Sequence, residues 1–230
     1  MNWQQIKSSL DNRSFIFEGQ KLFDREFIEV LNFHSPGIAA VRDESGAYHI
    51  NSQGKPLYIK RFVRSFGFYN GRAAVSDLDG WKHIDEYGEE VYVHRFSWVG
   101  NYQENICPVR LQTGNYIHID LEGNQIGDEE YLYCGDFKDG VASVQLCSGK
   151  YRHILTNGKP LHEKTYLELG IYHKCYATAR DERGWCHIDK CGLPLYANRY
   201  WAVEPFYNGL ARVRDMNGNL LVINEQGLRI

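Results

Sequence analysis

The chain has 230 residues, 43% of them hydrophobic and 14% aromatic, with 26 Lys and Arg against 29 Asp and Glu for a net charge of −3. That balance leaves no basic footprint for nucleic acid, no polybasic run for a membrane surface, and no apolar stretch near the ~18 residues that a spanning helix needs. The opening Met1-Asn2-Trp3-Gln4-Gln5-Ile6 lacks the basic and apolar regions of a signal peptide, and the six cysteines do not recur at a fixed spacing; the expectation is a cytoplasmic monomer with reduced thiols.

In chain order, Trp3 to Leu10 has roughly helical apolar spacing that Asp11-Asn12 would end, and residues 1–13 read as an N-terminal extension. From Ser14 onward a phrase of 34 or 35 residues repeats to the end, so 14–230 reads as one domain. Its refrain is His-Ile-Asp: His49-Ile50-Asn51, His83-Ile84-Asp85, His118-Ile119-Asp120, His153-Ile154-Leu155 and His187-Ile188-Asp189, closing on Val222-Ile223-Asn224. Each copy opens with a segment of the form Gly-x-small-x-Val, starting at Gly37, Gly71, Asn105, Gly140, Cys175 and Gly209. The small residues are Ala39, Ala73, Cys107, Ala142, Ala177 and Ala211; two places on stand Val41, Val75, Val109, Val144, Ala179 and Val213. A spacing of two puts both columns on one strand face, and an all-small column marks crowding by neighbouring units.

A turn rich in Asp, Ser and Gly follows, such as Asp43-Glu44-Ser45-Gly46 or Asp77-Leu78-Asp79-Gly80, and reads as a β-hairpin. The histidine strand comes next, then a second glycine turn and Pro56-Leu57-Tyr58 or a variant. Eight residues past the second glycine stands an aromatic (Phe27, Phe62, Phe96, Tyr131, Tyr166, Tyr200) and six further on another (Phe33, Phe68, Tyr102, Phe137, Tyr172, Phe206). The pattern predicts three or four short strands per unit, hence an all-β fold of six units. The chain starts with a second half-unit at Gly19 and ends with a first half-unit from Gly209. Pairing of these two halves would close a propeller-like ring, favoured here over an open β-solenoid because closure removes exposed sheet edges.

The phrase Phe68-Tyr69-Asn70-Gly71-Arg72-Ala73-Ala74-Val75, followed by Gly80-Trp81-Lys82-His83-Ile84-Asp85-Glu86-Tyr87-Gly88, resembles the WG repeat, a bacterial tandem-repeat family named for its Trp-Gly pair. Only Trp81 and Trp185 keep the signature tryptophan; Ala47, Tyr116, Tyr151 and Leu220 replace it. The resemblance implies a β-rich array with an interaction role and no shared catalytic residues.

Three constellations invite a functional reading. His49, His83, His118, His153 and His187 would face one another in a ring and could hold a metal or small ligand, yet a residue that recurs with the unit is first a part of the unit. Cys186-His187-Cys191 lacks a Cys-x-x-Cys pair, and neither a nucleophile elbow nor a phosphate loop occurs, so no cofactor and no enzyme activity are expected. The third is a column that varies between copies: Glu29, Arg64, Trp98, Tyr133, Glu168 and Ala202. Alternation turns it outward, and Arg64, Trp98, Tyr133 and Glu168 are the expected contacts to a protein or peptide partner.

Overall fold

The computed structural model describes residues 2–230, and they form an all-β chain of small antiparallel sheets. Two compact units emerge, Met1–Thr113 with Ile119–Asn124, and Gly114–His118 with Gln125–Ile230. Each is described by itself.

The first unit holds three three-stranded sheets and a strand pair. The repeat is plainest in the second sheet, which has an opening strand Glu29–Val30, a central strand Ile38–Asp43 and a histidine strand Gly46–Asn51. Ala39 lies opposite Ile50 and Val41 opposite Tyr48. Gly46, with φ of +124°, supplies the turn that joins the two longer strands. The third sheet repeats the plan with Arg64–Tyr69, Arg72–Asp77 and Gly80–Ile84, and the pair Trp98–Val99 with Cys107–Arg110 begins another copy. In the second unit Tyr133–Cys134, Val141–Gln145 and Tyr151–Leu155 make one sheet and Glu168–Leu169, Ala177–Asp181 and Gly184–Ile188 the next. Ala202–Val203, Leu210–Arg214 and Leu220–Asn224 make the last.

The small column does what its composition implied. Ala39, Ala73, Cys107, Ala142, Ala177 and Ala211 are all buried, with the Val and Ile of the same face beside them. In the first unit this face meets the aromatics of the preceding turn: Phe15, Phe27, Phe33, Ala39, Val41 and Ile50 form one cluster, and Phe62, Phe68, Ala73, Val75 and Ile84 another. In the second unit Tyr172, Ala177, Ala179, Ile188, Phe206, Ala211, Val213 and Ile223 belong to a single cluster. Each buried Ile contributes about 1.5–3 kcal/mol against the conformational entropy of its strand.

Two expectations about the start of the chain are corrected. Trp3–Gln5 is a single 3-10 turn, not the first turn of a helix reaching Leu10, and Lys7–Ser8 is already a strand. That strand pairs with Phe15–Phe17, setting Ser8 opposite Phe15, while Gln20–Leu22 takes the other side. Residues 6–8 therefore fill the place that Gly-x-small-x-Val fills elsewhere, with Ile6 buried as its apolar contact. The third strand of the first sheet thus comes from residues read as an extension. Lys7-Ser8 carries no trace of the repeat consensus, because a two-residue strand needs little more than backbone pairing.

Candidate functional site

Where the histidines go decides between ligand and structure. His49, His83, His118, His153 and His187 are all buried. Each lies on a histidine strand, and its Nε2–H donates to a main-chain carbonyl seventeen residues ahead: Phe66 at 2.7 Å, Gly100 at 3.0 Å, and Gly135, Gly170 and Glu204 at 2.8 Å. A carbonyl only accepts, so the proton sits on Nε2 and the neutral ring offers a lone pair at Nδ1. Nine residues ahead a tyrosine hydroxyl donates to that lone pair: Tyr58 to His49, Tyr92 to His83 at 2.5 Å and Tyr196 to His187. The ring face meets the second aromatic column, with Phe68, Tyr102, Phe137, Tyr172 and Phe206 at centroid distances of 4.0–4.8 Å.

This enclosure leaves His49, His83 and His187 no free lone pair for a metal. Burial pulls His49, His83, His118 and His153 down to about 4 from an ordinary 6.5, and lowers His187 as well. The rings are neutral at pH 7, which is the state their hydrogen bonds require. Among the described residues no group of three His, Cys, Asp or Glu side chains comes together as a metal site.

Two copies depart from the plan. At the tyrosine place His153 meets His162 instead, Nδ1 to Nε2 at 3.4 Å. In the His118 copy Gly127 stands at that place, and the His118 Nδ1 has no partner among the described residues. The tyrosine has a second duty that explains the second-turn glycine. A Cβ on Gly88 would stand 2.6–2.9 Å from the Tyr58 ring, and one on Gly227 as close to Tyr196. Where Gly127 replaces the tyrosine, Gly158 packs directly on its backbone, with a Cβ there 2.8 Å from the Gly127 Cα. The aspartates of the refrain open turns: Asp85 accepts from the N–H of Tyr87 and Glu89, and Asp189 from Cys191 and Leu193.

The variable column is turned outward on the opening strands. In the first unit Glu29 and Arg64 are exposed and Trp98 is 41% exposed. Glu29 lies opposite Arg42 and 3.6 Å from its Nε. Arg64 lies opposite Ser76, and among the described residues no ion pair engages its guanidinium. The Trp98 indole runs across Gly100, so part of it packs on its own strand. In the second unit Tyr133 is 48% exposed, its ring 6.1 Å from Tyr116, and Glu168 is ion-paired with Arg180. Arg64 and Trp98 therefore share one unit while Tyr133 and Glu168 share the other.

One position earlier lies a column that the sequence reading passed over. Ile28, Val63, Leu132, Leu167 and Trp201 follow the first buried aromatic and remain exposed, Trp201 at 64%. Five of the six copies keep a large apolar side chain in water there, Ser97 being the exception. In the second unit Leu167 and Trp201 join Trp185, Tyr200, Met216 and Arg180 around a cleft of about 510 Å³. A cleft of about 520 Å³ in the first unit is lined by Trp81, Phe96, Ser97, Leu78, Arg64 and Gln112. The signal was available: a nearly unbroken apolar column between a buried aromatic and the variable position.

Also unremarked in the sequence is an arginine just before that aromatic. Arg61, Arg95 and Arg199 each donate to the carbonyls of the preceding turn, and Arg95 and Arg199 also hold Asp79 and Asp181 at the hairpin. These are stitches within the unit.

No protein-family model matches this chain, and no curated protein matches it either. Among solved structures it is similar to a eukaryotic initiation factor, at 11% identity over 98% of this chain and 71% of that one, with a TM-score of 0.58. Weaker likenesses are BamB from Moraxella catarrhalis (13% identity, 100% and 87% covered, TM-score 0.47) and the C-terminal WD40 domain of Sif2 (11%, 91% and 70%, 0.44). At such identities the likeness to the initiation factor concerns fold alone. No helix among the described residues is long and apolar enough to cross a membrane.

Proposed function

We propose that this chain is a propeller-like array of six WG-type units acting as a non-enzymatic scaffold that binds a protein or peptide. The observation that carries the reading is the exposed apolar column, above all Trp201 and Leu167 at the rim of the second unit's cleft. The fold does not need these side chains in water, and Trp, Met and Arg around a concave apolar surface are the residues that anchor partners. Arg64, Trp98, Tyr133 and Glu168 belong to the same proposal as neighbours of that column. The reading of the histidines as a metal or small-ligand site gains no support from His49, His83 and His187, whose two ring nitrogens are both engaged.

Selection from a displayed peptide library tests it. The expected result is an enriched consensus that binds the intact protein and is lost by Trp201→Ala with Leu167→Ser, while the thermal midpoint stays within a few degrees. Trp98→Ala with Tyr133→Ala tests the flanking column in the same way. Equal binding by both double variants, or no enrichment at all, overturns the assignment of this surface.

A further inference from the structure

The signature aromatic two residues before the histidine is Trp81, Tyr116, Tyr151 or Trp185 in four copies, but Ala47 in the second sheet. Its direction is shown by the others. Tyr116 reaches Tyr133, the variable residue on the next opening strand, and Trp81 lies 5.8 Å from Phe66. Arg64 is the variable residue on the opening strand that follows Ala47. Where an indole or phenol would reach it there is a cleft of about 240 Å³, with Ala40, Val41 and Ala47 at its buried floor and Leu31 and Phe66 at its sides. Its rim carries Arg42, Arg64 and Glu29. Glu29 offsets Arg42, which leaves the Arg64 guanidinium without an ion pair among the described residues and the rim with one net positive charge.

We propose that this cleft binds an aromatic monocarboxylate, whose ring takes the place of the missing side chain while its carboxylate is held by Arg64, with Arg42 beside it. Guanidinium forks match carboxylates in bidentate geometry, and a fork beside a low-dielectric floor holds an anion more firmly than one in open water. The volume lies below the roughly 300–1,000 Å³ of drug-sized sites, which suits a single ring system and excludes a nucleotide. Glu29 at the rim repels a dianion, so a carboxylate is favoured over phosphate. Such a group reaches the cleft either as a free acid or as the C-terminal aromatic residue of a peptide. This inference concerns the first unit and does not rest on the Trp201 surface.

Two-dimensional NMR titrations of the full chain test it with indole-3-acetate, with 3-methylindole as the carboxylate-free control, and with acetyl-Gly-Gly-Trp as free acid and as amide. The expected result is saturable shifts near residues 40–47 and 64–66 for the two acids, and affinity lower by about tenfold or more for the controls and for Arg64→Gln, from loss of a charge-assisted pair. Ala47→Trp, which restores the repeat's own aromatic, abolishes binding while keeping the dispersed spectrum. Tighter binding by the free acid or by the peptide acid names the source, and either supports the site. No saturable binding by either acid, or equal binding by Arg64→Gln, overturns it, also if Ala47→Trp does not fold.

Discussion

Lowering the pH from 7 to 4 is the perturbation that this chain should resist least. Four buried histidines, His49, His83, His118 and His153, titrate at about 4 in the folded protein against an ordinary 6.5. The folded state therefore binds fewer protons than the unfolded chain between those values. Each ring's contribution is fully present above pH 6.5, declines as the pH falls toward 4, and is constant below that. At about 1.4 kcal/mol per pH unit the drop from 6.5 to about 4 is worth roughly 3–4 kcal/mol per ring, or about 14 kcal/mol for four. A typical domain has only about 5–15 kcal/mol in all. Between pH 6 and 5, where unfolded rings are largely protonated and folded ones are not, four protons give a slope near 5 kcal/mol per pH unit. Asp43 and Asp181, whose carboxyls lie below their ordinary value despite burial because hydrogen bonds from Ser45 and Tyr48 and from Arg199 hold the charge, lose their contribution only at still lower pH. Urea unfolding at half-unit steps from pH 7.5 to 4.5, followed by tryptophan fluorescence, should show the midpoint falling steeply below pH 6.5. His83→Gln should flatten the slope by about a quarter. An unchanged midpoint between pH 7 and 5 refutes the buried neutral rings.

Three substitutions probe the parts separately. Tyr92→Phe leaves the His83 Nδ1 without its donor and should cost about 1–3 kcal/mol in a urea titration, although it removes one oxygen only. Gly88→Ala forces a methyl to within 2.6–2.9 Å of Tyr58, whereas Gly71→Ala, with φ of +72° and open space around it, meets only backbone strain; the first should lower stability by about 2 kcal/mol more than the second. Arg199→Met breaks a largely buried pair with Asp181 and strips donors from three turn carbonyls, so its thermal midpoint should fall by several degrees, more than that of the exposed Arg212→Met.

What the sequence made legible follows from what the repeat repeats. Columns that serve the unit itself, such as Ala39 with Val41 or Ile50 with Asn51, recur with few exceptions, Leu155 and Ala179 among them, and strand alternation then assigns their faces. The histidine's partners were harder to read. Tyr58 recurs beside Pro56 as one more strand aromatic, and its bond to His49 appears only when the chain doubles back nine residues later. The Phe66 and Gly100 carbonyls carry no side-chain signature at all. The same holds for Lys7-Ser8, which takes a strand's place by backbone pairing alone. In the candidate sites the reading reached Arg64 and Trp98 through variability, but overlooked Ile28, Val63, Leu132, Leu167 and Trp201 because they vary little. An apolar residue that hardly changes looks like core until exposure is known. Ala47 was visible as a departure from the signature, yet only the cleft shows that nothing filled the space.

The central claim is that the recurring histidines are neutral structural hydrogen-bond bridges. Long-range proton–nitrogen correlation of the imidazole rings at pH 7 tests it most directly. The account predicts that the five buried rings all carry their proton on Nε2, with an unprotonated Nδ1, and that added Zn²⁺ leaves these resonances in place. Doubly protonated rings, protons on Nδ1, or resonances that move stoichiometrically with zinc would contradict it.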